Sequence, residues 1–138
     1  MFRLENIVEA EHTSQGENGK SGHAFDLEER TAVFGENEIK LPKKIPVNPV
    51  NDTLIRQFVR AGTSVGANYC EADDAESKKD FRHKIGICRK ESRESKHRLR
   101  MLAVAEPSLR DEAAVLWKEA KELNLIFGAI RRSCERRA

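Results

Sequence analysis

Apolar and small residues recur along this chain at steps of three and four, the repeat of helices that bury one side. Leu27, Thr31, Phe34 and Leu41 form a first run, interrupted by Glu38. Asp26 stands where it can cap the free N–H groups, with Glu29 three residues on, a capping box with Asp in place of Ser or Thr. Pro42, Pro46 and Pro49 are expected to end this helix and make an extended connector. A second helix is predicted from about Val50 to Asp73, capped by Asn48 or Asn51, with Leu54, Ile55, Phe58, Gly62, Val65 and Tyr69 on one face. The segment Glu71 to Glu76 then forms an acidic elbow. A third helix opens at Ser77, with Asp80 at the third helical position. Its seam is Phe81, Ile85, Cys88, Ser92, Ser95, Leu99 and Leu102, a period of 3.5 as in antiparallel bundles. The small residues Ser92 and Ser95 allow a neighbouring helix to come close. Pro107 makes the next turn, and Ser108 is expected to cap a fourth helix. Leu109, Ala113, Leu116, Ala120, Leu123, Phe127, Ile130 and Cys134 continue the same repeat there.

Four amphipathic helices with short links predict an all-α fold, an antiparallel up-down-up-down four-helix bundle over residues 26–138. Residues 1–25 are expected to be a disordered tail, because the stretch from His12 to Gly22 is too polar to offset its ordering entropy. Composition agrees with helices: among 138 residues only 8 are aromatic and 8 are Gly, too few for a many-stranded sandwich. No apolar run reaches the ~18–20 residues of a membrane span, and no secretory signal is visible. Cys70, Cys88 and Cys134 are odd in number and form no CxxC pair. That predicts buried thiols in a reducing, cytoplasmic setting.

Charge changes the picture more than composition does. The net charge is +2, yet residues 1–40 carry −5 and residues 78–100 carry +7. Within that basic stretch Arg82, Arg89, Arg93, Lys96 and Arg100 fall within about 60° on a helical wheel and spread over roughly 27 Å. They lie away from the Ile85/Leu99 seam. Lys79, Lys90 and His97 widen the face. Such a ridge can track nucleic-acid phosphates, with binding driven by counterion release; it can also be a solvated face paired with acids from a neighbour. No aromatic residue is interleaved on it, so base stacking is not expected.

A second stripe, on helix two, is polar: Arg60, Ser64, Asn68 and Glu71 sit opposite the apolar face. It reads either as a hydrogen-bonded subunit interface or groove, or as ordinary solvated surface. Glu94 and His97 have the E-x-x-H spacing of di-metal bundles. No second helical copy exists and His97 points away from the seam, so no metal is expected. Cys88 and Cys134 read as small core residues rather than nucleophiles. No catalytic pairing is forced by spacing, and no cofactor is implied. Gly62 and Gly66 lack the Lys-Ser/Thr of a phosphate loop. They read as close-packing positions, at a cost of about 1 kcal/mol per Gly relative to Ala.

The run Arg60-Ala-Gly-Thr-Ser64-Val-Gly-Ala-Asn68-Tyr-Cys-Glu71-Ala72, followed by Ser77-Lys-Lys-Asp-Phe81, resembles the signature of bacterial four-helix bundle proteins of the 23S rRNA intervening-sequence type. The resemblance covers roughly residues 26–134. It implies a left-handed bundle whose subunits assemble as a ring, commonly a pentamer. The family is similar in fold to the accessory variability determinant of diversity-generating retroelements, a basic ring that engages nucleic acid and a reverse transcriptase. Arg60, Ser64, Asn68 and Glu71 are carried over as signature positions rather than catalytic ones, and Glu94 matches the helix-three Glu. The loop Ala72-Asp-Asp-Ala-Glu76 departs from the Gly-containing loop usual there.

The expectation is therefore a cytoplasmic, non-enzymatic homo-oligomer that binds structured RNA or DNA through helix three. The alternative is a protein-interaction scaffold, for instance for a reverse transcriptase or a ribosome-related partner.

Overall fold

Three of the four helix starts are set by a side chain that takes up an orphan backbone N–H. In the computed structural model, which describes residues 26–136, α1 spans Leu27–Lys40 behind Asp26, whose Oδ1 accepts from the Glu29 N–H at 3.1 Å. The helix α2 spans Pro49–Asp73. Asn48 Oδ1 accepts from the Asn51 N–H at 2.8 Å. The helix α3 spans Lys78–Ala105, and Ser77 Oγ accepts from the Asp80 N–H at 3.1 Å. The helix α4 spans Arg110–Arg136. The expected tail, residues 1–25, lies outside the described residues.

Three boundaries differ from the sequence expectation. Pro42 is buried inside a 3-10 turn, Leu41–Lys44, that tightens the end of α1. Pro49 is the first residue of α2, where its missing N–H costs nothing. Ser108 does not cap α4. It lies in a second 3-10 turn, Pro107–Leu109, and its hydroxyl donates to Glu106 Oε1 at 2.6 Å.

Cross-helix pairs show that every sequential pair of helices is antiparallel. Thr31 lies against Gly66 and Glu38 against Gly62 on α1 and α2. Arg60 pairs with Glu94, and Glu71 with Lys84, between α2 and α3. Asn124 bonds Arg89, and Arg131 lies over Gly86, between α3 and α4. Arg30 pairs with Glu119, and Lys44 with Glu112, closing α1 onto α4. This is the up-down-up-down four-helix bundle.

One phenylalanine from each helix is buried in the core: Phe34, Phe58, Phe81 and Phe127 are all essentially inaccessible. Each is worth roughly 1.5–3 kcal/mol of burial. The α3 seam is buried along its whole length, including Ser92 and Ser95. Ser92 Oγ returns to the Cys88 carbonyl at 2.7 Å, while Ser95 Oγ is buried without a partner. On α4 the predicted positions are buried except Cys134, which is half-buried, and Gly128 and Ser133 join them. On α2, Leu54 and Ile55 are only half-buried.

The approach of α1 to α2 is made by glycine. A Cβ on Gly66 would stand 3.3 Å from Thr31 Oγ1, and Gly35 lies over Thr63 and the Gly62 carbonyl. A Cβ on Gly62 would overlap the Glu38 carboxyl group, with Glu38 Cγ only 2.7 Å away. Glu38, which breaks the apolar pattern of α1, is thus folded into the core. It is 0% exposed, and neither of its carboxylate oxygens has a hydrogen-bond partner. Burial pushes its pKa up to about 9, so the group is a neutral acid at pH 7.

Candidate nucleic-acid interface

The third helix separates its charges between two sides. Toward α2, its two central carboxylates are engaged. Arg60 reaches from α2 to Glu94 at 2.7 Å and to Glu91 at 3.4 Å, and Arg98 adds a bond to Glu94 at 3.2 Å. Burial alone would raise Glu94; the hydrogen bonds from Arg60 and Arg98 outweigh it and hold the carboxyl below its usual range. Glu91 is raised instead, first by burial and then by the neighbouring Glu94. Lys84 pairs with Glu71 at 2.5 Å, and Arg98 also donates to Gln57 at 2.7 Å.

The predicted polar stripe on α2 is therefore satisfied within the chain. Arg60 and Glu71 reach α3, and Asn68 donates through Nδ2 to the Ser64 carbonyl and hydroxyl at 2.9 and 3.0 Å. Glu94, read as half of an E-x-x-H, is held by two arginines. Among the described residues no three His, Cys, Asp or Glu side chains come together as a metal-holding group.

Toward α4 the picture reverses. Arg82, Arg89, Arg93 and Arg100 are exposed, Lys96 is half-buried, and none of the five has an ion pair among the described residues. Arg89, Arg93 and Lys96 line a groove between α3 and α4 with Asn124, Leu125 and Arg132. Arg82 lines a second concavity with Lys79, Lys90 and Arg131. Arg100 extends the ridge without lining either. No carboxylate lines these two grooves.

Local packing explains why the groove is open and basic. Asn124 Nδ2 donates to the Arg89 carbonyl at 2.8 Å and ties the two helices together at that point. Gly86 on α3 lies against the Arg131 guanidinium, and Gly128 on α4 lies against Arg132 and the Arg89 stem. Arg131 makes a long pair with Glu135, at 3.8 Å.

Two features of this face lie outside the spacing of α3. The fourth helix contributes Arg131 and Arg132 to the basic face. Both lie near the C-terminal end of α4, where cations also suit the helix dipole. The ridge also has an aromatic neighbour. Trp117 of α4, partly exposed, lies under Lys96 Nζ at 5.6 Å from its ring centroid and under Lys121 Nζ at 5.7 Å. It was invisible in the α3 periodicity because it comes from the facing helix.

No disulfide joins Cys70, Cys88 and Cys134. Cys88 is fully buried, its thiol donates to the Val65 carbonyl at 3.5 Å, and burial pushes its pKa up to about 12, so it is a core residue without thiolate character. Cys134 is half-buried, and Cys70 is exposed rather than buried.

The fold and this face define an all-α bundle with one neutralised flank and one open basic flank. Residues 26–129 match the family described as 23S rRNA-intervening sequence protein, and the chain belongs to that family. The bundle is similar to the crystal structure of a protein of unknown function from the S23 ribosomal protein family of Bacteroides thetaiotaomicron VPI-5482. That structure is 28% identical, with a TM-score of 0.66, and the match covers 76% of this chain and 97% of the other. No curated protein matches.

Proposed function

We propose that this protein is a non-enzymatic binder of structured RNA or DNA, acting electrostatically through the α3–α4 face. The observation that carries this reading is the sorting of charge on α3. Its carboxylates Glu91 and Glu94 turn to Arg60, while Arg82, Arg89, Arg93, Lys96 and Arg100 stay unpaired on the other side, joined by Arg132. An unpaired row of cations on a rigid helix matches a phosphate backbone, whose binding is strongly salt-dependent. Fluorescence anisotropy with a labelled rRNA hairpin and a random duplex tests it. With ~6–10 phosphates engaged, affinity falls about 10³–10⁵-fold between 50 and 200 mM salt. Absence of binding at 50 mM overturns the reading and favours a protein-interaction scaffold or accessory subunit.

The same proposal includes self-association. Its support is the resemblance to ring-forming, commonly pentameric, bundle proteins. Light scattering in solution measures it: a mass of several times 15.7 kDa is expected, and a mass of one chain overturns it. Three cysteines with no disulfide among them suit the reducing cytoplasm. Among the described residues no helix is long and apolar enough to cross a membrane.

A further inference from the structure

We infer that Trp117 is a stacking platform for an unpaired base of the bound nucleic acid, an inference that rests on the proposed phosphate-binding role of the ridge. The chain has a single tryptophan, and it lies at the side of the basic face rather than in the bundle core. Trp117 is 37% exposed, whereas the four core phenylalanines are at most 1% exposed. Lys96 from α3 and Lys121 from α4 place their ammonium groups within 6 Å of the ring centroid, the range of a cation–π contact.

Those two lysines link the ring to the phosphate ridge. Lys96 lies one turn from both Arg93 and Arg100, so a strand that follows the ridge passes beside the indole. Phosphates draw the ammonium groups toward themselves, because an ion pair with a phosphate outweighs a cation–π contact at a partly exposed site. That frees the indole face for a base. Stacking is tolerant of sequence because every base has a π-face, but it requires a base that is not already stacked in a helix. The ligand class is therefore nucleic acid with an unpaired stretch, loop or bulge, held by phosphate contacts on α3 and by one base on α4.

The test uses the intrinsic fluorescence of the full chain, since the only tryptophan is the residue in question. The protein is titrated at 50 mM salt with a short oligothymidylate and with an abasic oligonucleotide of the same length and backbone charge. The oligothymidylate is expected to quench the emission and to bind at least about 5-fold more tightly than the abasic strand. Trp117→Leu, with its helicity checked by circular dichroism and its binding read from the anisotropy of the same two strands carrying a fluorescent label, is expected to remove that difference while leaving the affinity for the abasic strand unchanged. Equal affinity and unchanged emission with the two strands overturn the stacking platform and leave the phosphate ridge standing. Retention of the difference in Trp117→Leu overturns it too. Binding of neither strand also overturns the stacking platform, while the ridge stands or falls on the separate titration with the hairpin and the duplex.

Discussion

At pH 7, Glu38→Gln is expected to raise the free energy of unfolding by about 3 kcal/mol. The folded chain holds the Glu38 carboxyl in its protonated form up to about pH 9, because burial without a hydrogen-bond partner disfavours the charge. The unfolded chain releases that proton near the ordinary value of 4.5. Between those two values the folded state binds the extra proton, so stability falls as pH rises, by up to about 1.4 kcal/mol per pH unit. The glutamine has the same shape and no proton to lose. Urea unfolding of both proteins from pH 5 to 9 is expected to give curves that diverge steadily with pH, the wild type losing ground. Parallel curves would show that the Glu38 carboxyl reaches solvent. A second variant reports on the same contact from α2. Gly62→Ala places a methyl group in the volume of the Glu38 carboxyl, so it is expected to cost stability in the wild type. In a Glu38→Ala background it is expected to contribute the roughly 1 kcal/mol of helix propensity that Ala has over Gly.

Charge reversal of the ridge is expected to eliminate nucleic-acid binding without unfolding the protein. Arg89→Glu, Arg93→Glu and Lys96→Glu together remove three cations from one groove and add three anions to it. Each lost phosphate contact lowers the salt slope by about 1, so the slope is expected to fall by about 3, and repulsion removes most of the remaining affinity. Arg89 and Arg93 are exposed, and neither they nor the half-buried Lys96, which lies over the Trp117 ring, has an ion pair among the described residues. Helicity by circular dichroism is therefore expected to be unchanged. Wild-type affinity in the triple variant would place the phosphate contacts elsewhere. The control is Lys84→Glu. Its partner Glu71 lies on the α2 side, away from the groove, and its effect on binding is expected to be small.

The bundle was readable from the chain because helix periodicity is a local property. Seven seam positions on α3, from Phe81 to Leu102, recur in register, and all seven are buried. The caps at Asp26, Asn48 and Ser77 were equally legible, since a short polar side chain two or three residues ahead of a free N–H acts within a single turn. Ser108 failed the same rule. A proline before it turned the chain through a 3-10 segment, and its hydroxyl found the Glu106 carboxylate instead. Glu38 was seen as a break in the apolar run, but its burial depended on the glycine of another helix opposite it.

The basic ridge was likewise present in the sequence, because five cations on one helix share a face by spacing alone. What spacing could not supply was their surroundings. The pairing of Glu91 and Glu94 with Arg60, the addition of Arg132, and the placement of Trp117 under Lys96 all join residues from different helices. The four helices, their buried seams and the positive face of α3 follow from residue order alone, each a product of the 3.6-residue turn. Which charges are neutralised, which stay open, and that an aromatic ring stands beside them depend on the register of α2 and α4 against α3, and so on the packed bundle.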